Sequence, residues 1–440
     1  MRRLMLSAAA LVMLSAAAPA HSQGLAGLLL RFFSPTNPVV LQPAPEPFNH
    51  AAHFVSQPNA QQILRQLNAG IASQVSTFPL GSSSPGFTFT YDSALGIFNR
   101  SAESFGPVFA ERAITAGKGK FSFGVSVLDA TYDRFEGQDL RGRDIQLYLT
   151  HQDVDGGGSS LAPWFEGDII RADLSLDLQS RTTVVVANYG VSDKIDLGVA
   201  LPFQQIDLSA RIDTSVERLS SGPDPFILHI FSGGSDSAVF REAGSASGLG
   251  DAVLRGKYNF LRRSGGALAA GLDLRLPTGD EADLLGTGAT QAKLYLIASG
   301  PARRFSPRAS LGYTFSSGGS DFTGDLPDEI NYTAGFDAAL HSRVTLTADV
   351  LGRTLRNTAR LVETTRTFNF TQRLTPTVIQ QTTRVTPEGR TGDLNLLVGA
   401  AGLKINPVGR LLVSASVLFS IGNAGLQDEI TPVFGLDYSF

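Results

Sequence analysis

Phe434-Gly435-Leu436-Asp437-Tyr438-Ser439-Phe440 closes the chain, with apolar side chains at 434, 436, 438 and 440 and small or polar ones between them. Successive side chains of a strand point to opposite faces, so this stretch has one apolar and one polar face. A terminal strand of this kind ending on an aromatic residue is the assembly signal of outer-membrane barrels, carried here by Phe434, Leu436, Tyr438 and Phe440. It predicts an all-β protein in lipid.

Working back from the end, the same alternation recurs. Val413, Ala415, Val417 and Phe419 oppose Ser414 and Ser416; Val344, Leu346, Ala348 and Val350 oppose Thr345, Thr347 and Asp349. Leu268, Ala270, Leu272, Leu274 and Leu276 alternate with Gly271, Asp273 and Arg275, and Leu174, Leu176 and Leu178 with Asp173, Ser175 and Asp177. Tight connections such as Ser192-Asp193-Lys194 and Asn406–Gly409 alternate with longer ones at about 211–249, 277–288, 316–328, 354–391 and 421–429, the layout of single-chain outer-membrane barrels. The expected fold is a closed antiparallel transmembrane β-barrel of about 14–16 strands spanning 87–440, because only closure satisfies every backbone polar group in lipid. Aromatic residues at strand ends, among them Phe203, Tyr258, Phe260, Tyr313 and Phe315, are placed for interfacial girdles.

The amino-terminal end fits export. Arg2 and Arg3 precede an apolar Leu4–Leu14 run, and Ala18-Pro19-Ala20 suits cleavage, so 1–20 is expected to be a signal peptide. A Pro-rich stretch, 21–58, reads as an extended linker. The segment 59–86 holds one short helix whose apolar face carries Ile63, Leu64, Leu67 and Ile71. Three places suit that face: plugging the lumen, resting at the periplasmic mouth, or remaining as leader.

Composition removes several functions. There is no cysteine, hence no disulfide or thiolate chemistry, and a net charge of −4 without basic clusters gives no reason to expect nucleic acid as a partner. The six histidines are scattered without a metal-binding spacing, so neither a metal nor a cofactor is expected. Arg171, Asp173, Asp177, Asp196, Arg255, Lys257, Asp273, Arg275, Lys293 and Asp349 fall on predicted polar faces and are the candidate lumen lining. Their mixed signs argue against a strongly ion-selective pore and suit either a solute pathway or a structural network of ion pairs. The stretch 354–391 contains six arginines, a candidate contact for lipopolysaccharide phosphates. Asp280, Glu281 and Asp283 form an acidic loop without EF-hand spacing.

Several stretches resemble the family of Gram-negative outer-membrane proteins named for the meta-pathway of phenol degradation and often called simply transporters. They are Phe109-Ala110-Glu111-Arg112-Ala113, Gly119–Gly124, Asn188–Gly198, Gly248-Leu249-Gly250-Asp251 and Leu274–Asp280. The resemblance covers roughly 75–440 and implies a barrel linked to uptake of small hydrophobic or aromatic compounds. The leading functional expectation is therefore passive uptake of such solutes by a monomer, without catalysis. Its expected partners are outer-membrane lipids, lipopolysaccharide, the solute and, during biogenesis, the barrel-assembly machinery. The alternatives are a lipid hydrolase using His229 and Ser232, and a structural or adhesive barrel acting through its loops.

Overall fold

The structure, a computed structural model, describes residues 24–33, 39–43, 51–54, 57–83, 86–92, 97–100, 102–152, 164–221, 229–301, 303–320, 324–372 and 374–440. The expected signal peptide, 1–20, lies outside the described residues.

Twelve strands form the barrel: β1 Phe121–Tyr132, β2 Ile169–Gly190, β3 Ile195–Glu217, β4 Val253–Arg263, β5 Gly266–Arg275, β6 Ala289–Ser299, β7 Phe305–Ser320, β8 Glu329–His341, β9 Val344–Gln372, β10 Thr375–Val408, β11 Leu411–Ser420 and β12 Thr431–Ser439. Each pairs antiparallel with the next, and β12 returns to β1 with Tyr438 opposite Phe123, so no edge is left in the ring. The count of 14–16 is thus corrected to a closed barrel of 12 strands. Alternation overcounted for two reasons. Ile145–Thr150 and Ser237–Leu249 are strands, but they pair only with the far ends of β2 and β3. Residues 102–116 are irregular backbone inside the ring, so the wall starts at Phe121 and not at 87.

The expected rhythm of connections holds. At one end β2–β3, β4–β5, β6–β7, β8–β9 and β10–β11 are joined by short turns, with Gly409 supplying a left-handed residue (φ 56°) in the last of them. At the other end the connections are long. One is not a loop, however: 354–391 continues β9 and β10 into a hairpin, paired as far as Gln372 opposite Thr375. Its ladder slips between Leu355 and Thr358, where Asn357 takes φ 51°. Such a bulge bends a strand. Beyond it Leu361 joins the interior core, and the Phe368 ring lies 5.6 Å from that of Tyr148.

Along the short-turn half, the outward face is apolar. Leu197, Leu254, Leu272, Leu294 and Leu436 are among its exposed residues, and Leu268 and Leu272 point outward as expected. Aromatic residues mark both rims, with Tyr189, Tyr258, Phe260, Tyr438 and Phe440 near the short turns and Phe203, Phe315 and Phe419 toward the long connections. The four terminal residues Phe434, Leu436, Tyr438 and Phe440 all lie on this outer face, and the Phe440 ring sits 5.7 Å from Phe121 on the strand that completes the closure.

Farther toward the long-connection end the faces exchange roles. On β3 the outward positions run Ile195, Leu197, Val199, Leu201, Phe203 and then Gln205, Asp207, Ser209, Arg211, Asp213. On β2 the same change falls between Thr183 and Arg181, which lie opposite Phe203 and Gln205. Above that level Leu174, Leu176, Leu178, Ile206, Leu208 and Ile212 point inward and are buried. They pack on Leu25, Leu28, Leu29, Phe32 and helix α1, Pro58–Val75, through Leu64, Leu67 and Ile71, with Ile63 at the margin of the same core. Much of the expected linker is therefore packed: Leu25, Phe33, Val39, Leu41 and Phe54 are at most 1% exposed. The barrel wall thus continues above the apolar belt as a water-clad rim around an apolar core.

Candidate functional site: the filled lumen and its cavity

After α1 the chain runs down the inside of the barrel. A hairpin, Phe89–Asp92 with Ile97–Arg100, lies toward the short-turn end, where Phe89 contacts Lys120 and Arg410. The chain then returns through 102–116 to β1. Irregular backbone at this depth needs partners from the surrounding protein, since lipid offers none. The wall supplies them. Lys404 donates to the Pro107 carbonyl, Lys257 to that of Arg112 at 3.3 Å and Asn259 to that of Ala113 at 2.8 Å. In the other direction, Ala110 N–H reaches Asp349 and Ala116 N–H reaches Asp196 at 3.0 Å. Nearer the helix, Arg255 donates to the Gly81 carbonyl, Arg275 to Ser76 at 3.1 Å and Arg353 to Thr77 at 2.7 Å.

Of the ten candidate lumen residues, seven are inward: Asp196, Arg255, Lys257, Asp273, Arg275, Lys293 and Asp349. Five of them fall in two ion-pair clusters, Asp196 and Lys257 with Arg255 and Asp273 through Glu111, and Asp349 with Arg308 and Asp337; Arg308, Asp337 and the buried Lys404 were outside the candidate set. The other three, Arg171, Asp173 and Asp177, are a correction. They occupy the opposite face from the buried Leu174 and Leu176, above the apolar belt, where Arg171 pairs with Asp173 at 2.6 Å and Asp177 with Arg141 at 3.0 Å. Alternation fixes which residues share a face but not which face is wet.

Between the filled lower lumen and the apolar core lies a cavity of about 270 Å³. Phe78, Leu80, Phe109, Leu351 and Leu418 give it an apolar side, and Arg255, Asp273, Arg275, Lys293, Glu329, Arg353 and Asp428 are its charged residues. Its margin includes Leu397 and Phe419, at the point where the pairing of β10 with β11 stops at Val398 opposite Ser420.

Sequence reasoning missed one polar knot at the long-connection end. His53 Nδ1 and His151 Nε2 are 2.5 Å apart, and the edge of the Phe54 ring meets both His151 and His229. The fully buried His229 places Nδ1 3.0 Å from Asp168, whose carboxylate also accepts the Ser221 hydroxyl at 2.5 Å and the Ser220 and Ser221 amides. Burial pushes the Asp168 carboxyl up, but hydrogen bonding to His229, the His229 charge and the bonds from Ser221 outweigh it and hold it below the usual carboxylate range. No local pattern could have shown this, because the residues come from the amino-terminal segment and two separate connections. The knot also locates the residues of the hydrolase reading: Asp168 holds Nδ1 of the fully buried His229, while Ser232 is exposed.

The arginines of 354–391 are mostly engaged within the protein. Arg360 binds Glu136 at 2.9 Å, Arg384 binds Glu217 at 2.7 Å, Arg356 binds Asp393 and Arg390 binds Glu388. Among the described residues, no group of three or more acidic or histidine side chains could hold a metal ion. In the acidic loop, Asp280 caps Ala282 N–H at 3.0 Å and Asp283 meets Leu25 N–H at 3.4 Å.

Comparison with known proteins gives three findings. Residues 150–351 match the family described as "Putative MetA-pathway of phenol degradation". No curated protein matches the chain. Among solved structures, the chain is similar to the COG4313 outer membrane channel from Pseudomonas putida F1, at 11% identity and a TM-score of 0.43, covering 74% of this chain and 98% of that one. It is also similar to a Pseudomonas aeruginosa FadL homologue (13% identity, TM-score 0.32, 82% and 97% covered) and to the Ralstonia pickettii toluene transporter TbuX (10%, 0.26, 74% and 90%). Residues 150–351, which run from the approach to β2 into β9 of the closed antiparallel barrel, are thus the part of the chain that is similar to that family.

Proposed function

We propose that the protein is a passive outer-membrane channel for small apolar solutes, aromatic ones included, with its short turns in the periplasm and its long connections outside the cell. The observation that carries this reading is the half-apolar cavity inside the lumen, next to a filling segment held by hydrogen bonds and ion pairs rather than by continuous strand pairing. Solute moves down its own gradient and needs no cofactor. The match of 150–351 to a family described for phenol degradation supports the aromatic class. The amino-terminal segment, α1 and 77–116 together, acts as the plug whose displacement opens the path. Export by the 1–20 leader, folding through the terminal aromatic strand on the barrel-assembly machinery, and a monomeric state within lipid and lipopolysaccharide complete the proposal.

Purified protein in liposomes tests it. Influx of phenol or benzyl alcohol above the protein-free rate, with glucose excluded, is the expected result. No influx above that rate, with correctly folded barrels, overturns it.

A further inference from the structure

The charged side of the cavity is not balanced within itself. Arg353 donates to both oxygens of Glu329, from Nη2 at 2.6 Å and from Nε at 3.2 Å. Arg255 lies 3.8 Å from Asp273, which also accepts the Tyr295 hydroxyl at 3.0 Å. Arg275 and Lys293 differ. Among the described residues, neither has a carboxylate oxygen within the 4.0 Å of an ion pair. Arg275 donates to the Ser76 carbonyl and feels Asp251 and Glu329 only from beyond ion-pair distance, and Lys293 stands 5.0 Å over the Tyr295 ring with Asp273 and Glu329 likewise beyond that distance. The register of β5 with β6 sets Asp273 opposite Lys293 and Arg275 opposite Gln291, so the two cations are diagonal neighbours on one inward face. Diagonal neighbours of this kind lie within reach of long side chains.

Two cations in a lumen with an apolar opposite wall cost free energy that a bound anion offsets. A guanidinium fork and an ammonium suit a carboxylate, which accepts hydrogen bonds from both. The rest of such a ligand has Phe78, Phe109, Leu351 and Leu418 to lie against. At about 270 Å³ the space falls just below the range of roughly 300–1,000 Å³ typical of drug-sized ligands, which limits the occupant to one ring or a short chain.

We propose that the cavity is a binding site for small apolar carboxylates, with the anion held by Arg275 and Lys293 and the apolar body against the facing wall. Access to it rests on the channel reading above.

The probe pair is benzoate and benzyl alcohol, similar in size and different in charge. Binding is measured by calorimetry on the full chain in detergent, and flux in liposomes. Benzoate is expected to bind at least about tenfold more tightly, roughly the worth of one charge-assisted hydrogen bond. Lys293→Met and Arg275→Met remove that preference, and Lys293→Arg keeps it. In the wild type, the preference also disappears as pH falls below the acid's own pKa, a readout that needs no variant to fold. Equal binding of the two probes, or a preference that survives both substitutions, overturns the proposal. Benzoate preference without flux of either compound leaves the site standing and removes the channel. Flux without preference does the reverse.

Discussion

Arg308 and Asp349 meet at 2.6 Å with both side chains 1% exposed, and the second oxygen of Asp349 faces the Ala110 amide of the filling segment. One carboxylate therefore joins β7, β9 and the filling segment. Arg308 also binds Asp337, so Asp349→Ala leaves a half-paired buried cation and an unserved amide. Breaking a buried pair from one side costs about 3–5 kcal/mol. The variant is expected to lose its folded, fast-migrating form on gels at a clearly lower temperature than wild type. An unchanged transition would mean that this junction adds nothing to stability.

The exchange of faces along β2 and β3 makes similar-looking leucines behave differently. Leu272 faces outward within the apolar belt and Leu176 inward above it. Leu272→Arg should cost about 2–4 kcal/mol near the bilayer midplane and lower assembly into liposomes. Leu176→Ala should cost about 2–5 kcal/mol through a cavity in the core around α1 and leave insertion intact. Equal insertion defects in the two would place Leu176 in contact with lipid.

These two residues also show how much of the molecule could be read in advance. The barrel was legible because lipid outside and polar groups inside impose a period of two on β3, β5 and β12, and closure follows from the need to pair every strand. Leu174–Leu178 obey the same period with the opposite sign, since above the membrane the water is outside. Of the segment inside the barrel only the helix was legible, with three alternative places for it. Residues 102–116 have no periodicity of their own, and their backbone partners lie far along the chain, 297 positions apart for Lys404 and Pro107. Seven of the ten lumen candidates follow from strand parity, but that Arg275 and Lys293 are diagonal neighbours depends on the β5–β6 register and not on composition.

Asp168 ties the segment after β3 to His229, whose ring lies 6.4 Å from that of His151, the partner of His53 in the amino-terminal segment. Its carboxyl is held below its ordinary 3.8, so it contributes stability that is fully present above that value and is lost as pH falls through the lower folded one. Hydrogen exchange or limited proteolysis around 51–54 and 229–235 should therefore quicken as pH drops below 3.8. Asp168→Asn should be loosened already at neutral pH and change little on acidification. Parallel profiles for the two proteins would remove Asp168 as the acid-sensitive group.

The chain has no cysteine, so an introduced pair can form only one disulfide. Ala113 in the filling segment donates its N–H to Ser299 Oγ on β6 at 2.9 Å, which brings the two positions close enough to attempt a bridge. Ala113→Cys with Ser299→Cys, oxidised, should hold the segment against the wall while leaving the cavity above it unchanged. If passage requires the segment to move, benzyl alcohol flux falls toward the protein-free rate in the oxidised double variant and returns on reduction. Each single variant, with nothing to bridge, should pass solute like wild type. Because the wall serves the segment through individual side chains such as Asn259 and Lys257, its release exposes polar groups to water entering the lumen rather than to lipid, and the cost of opening is met by hydration. Full flux through the oxidised, verified cross-link would place the path beside the segment, along the seam at Val398 and Ser420 where β10 leaves β11.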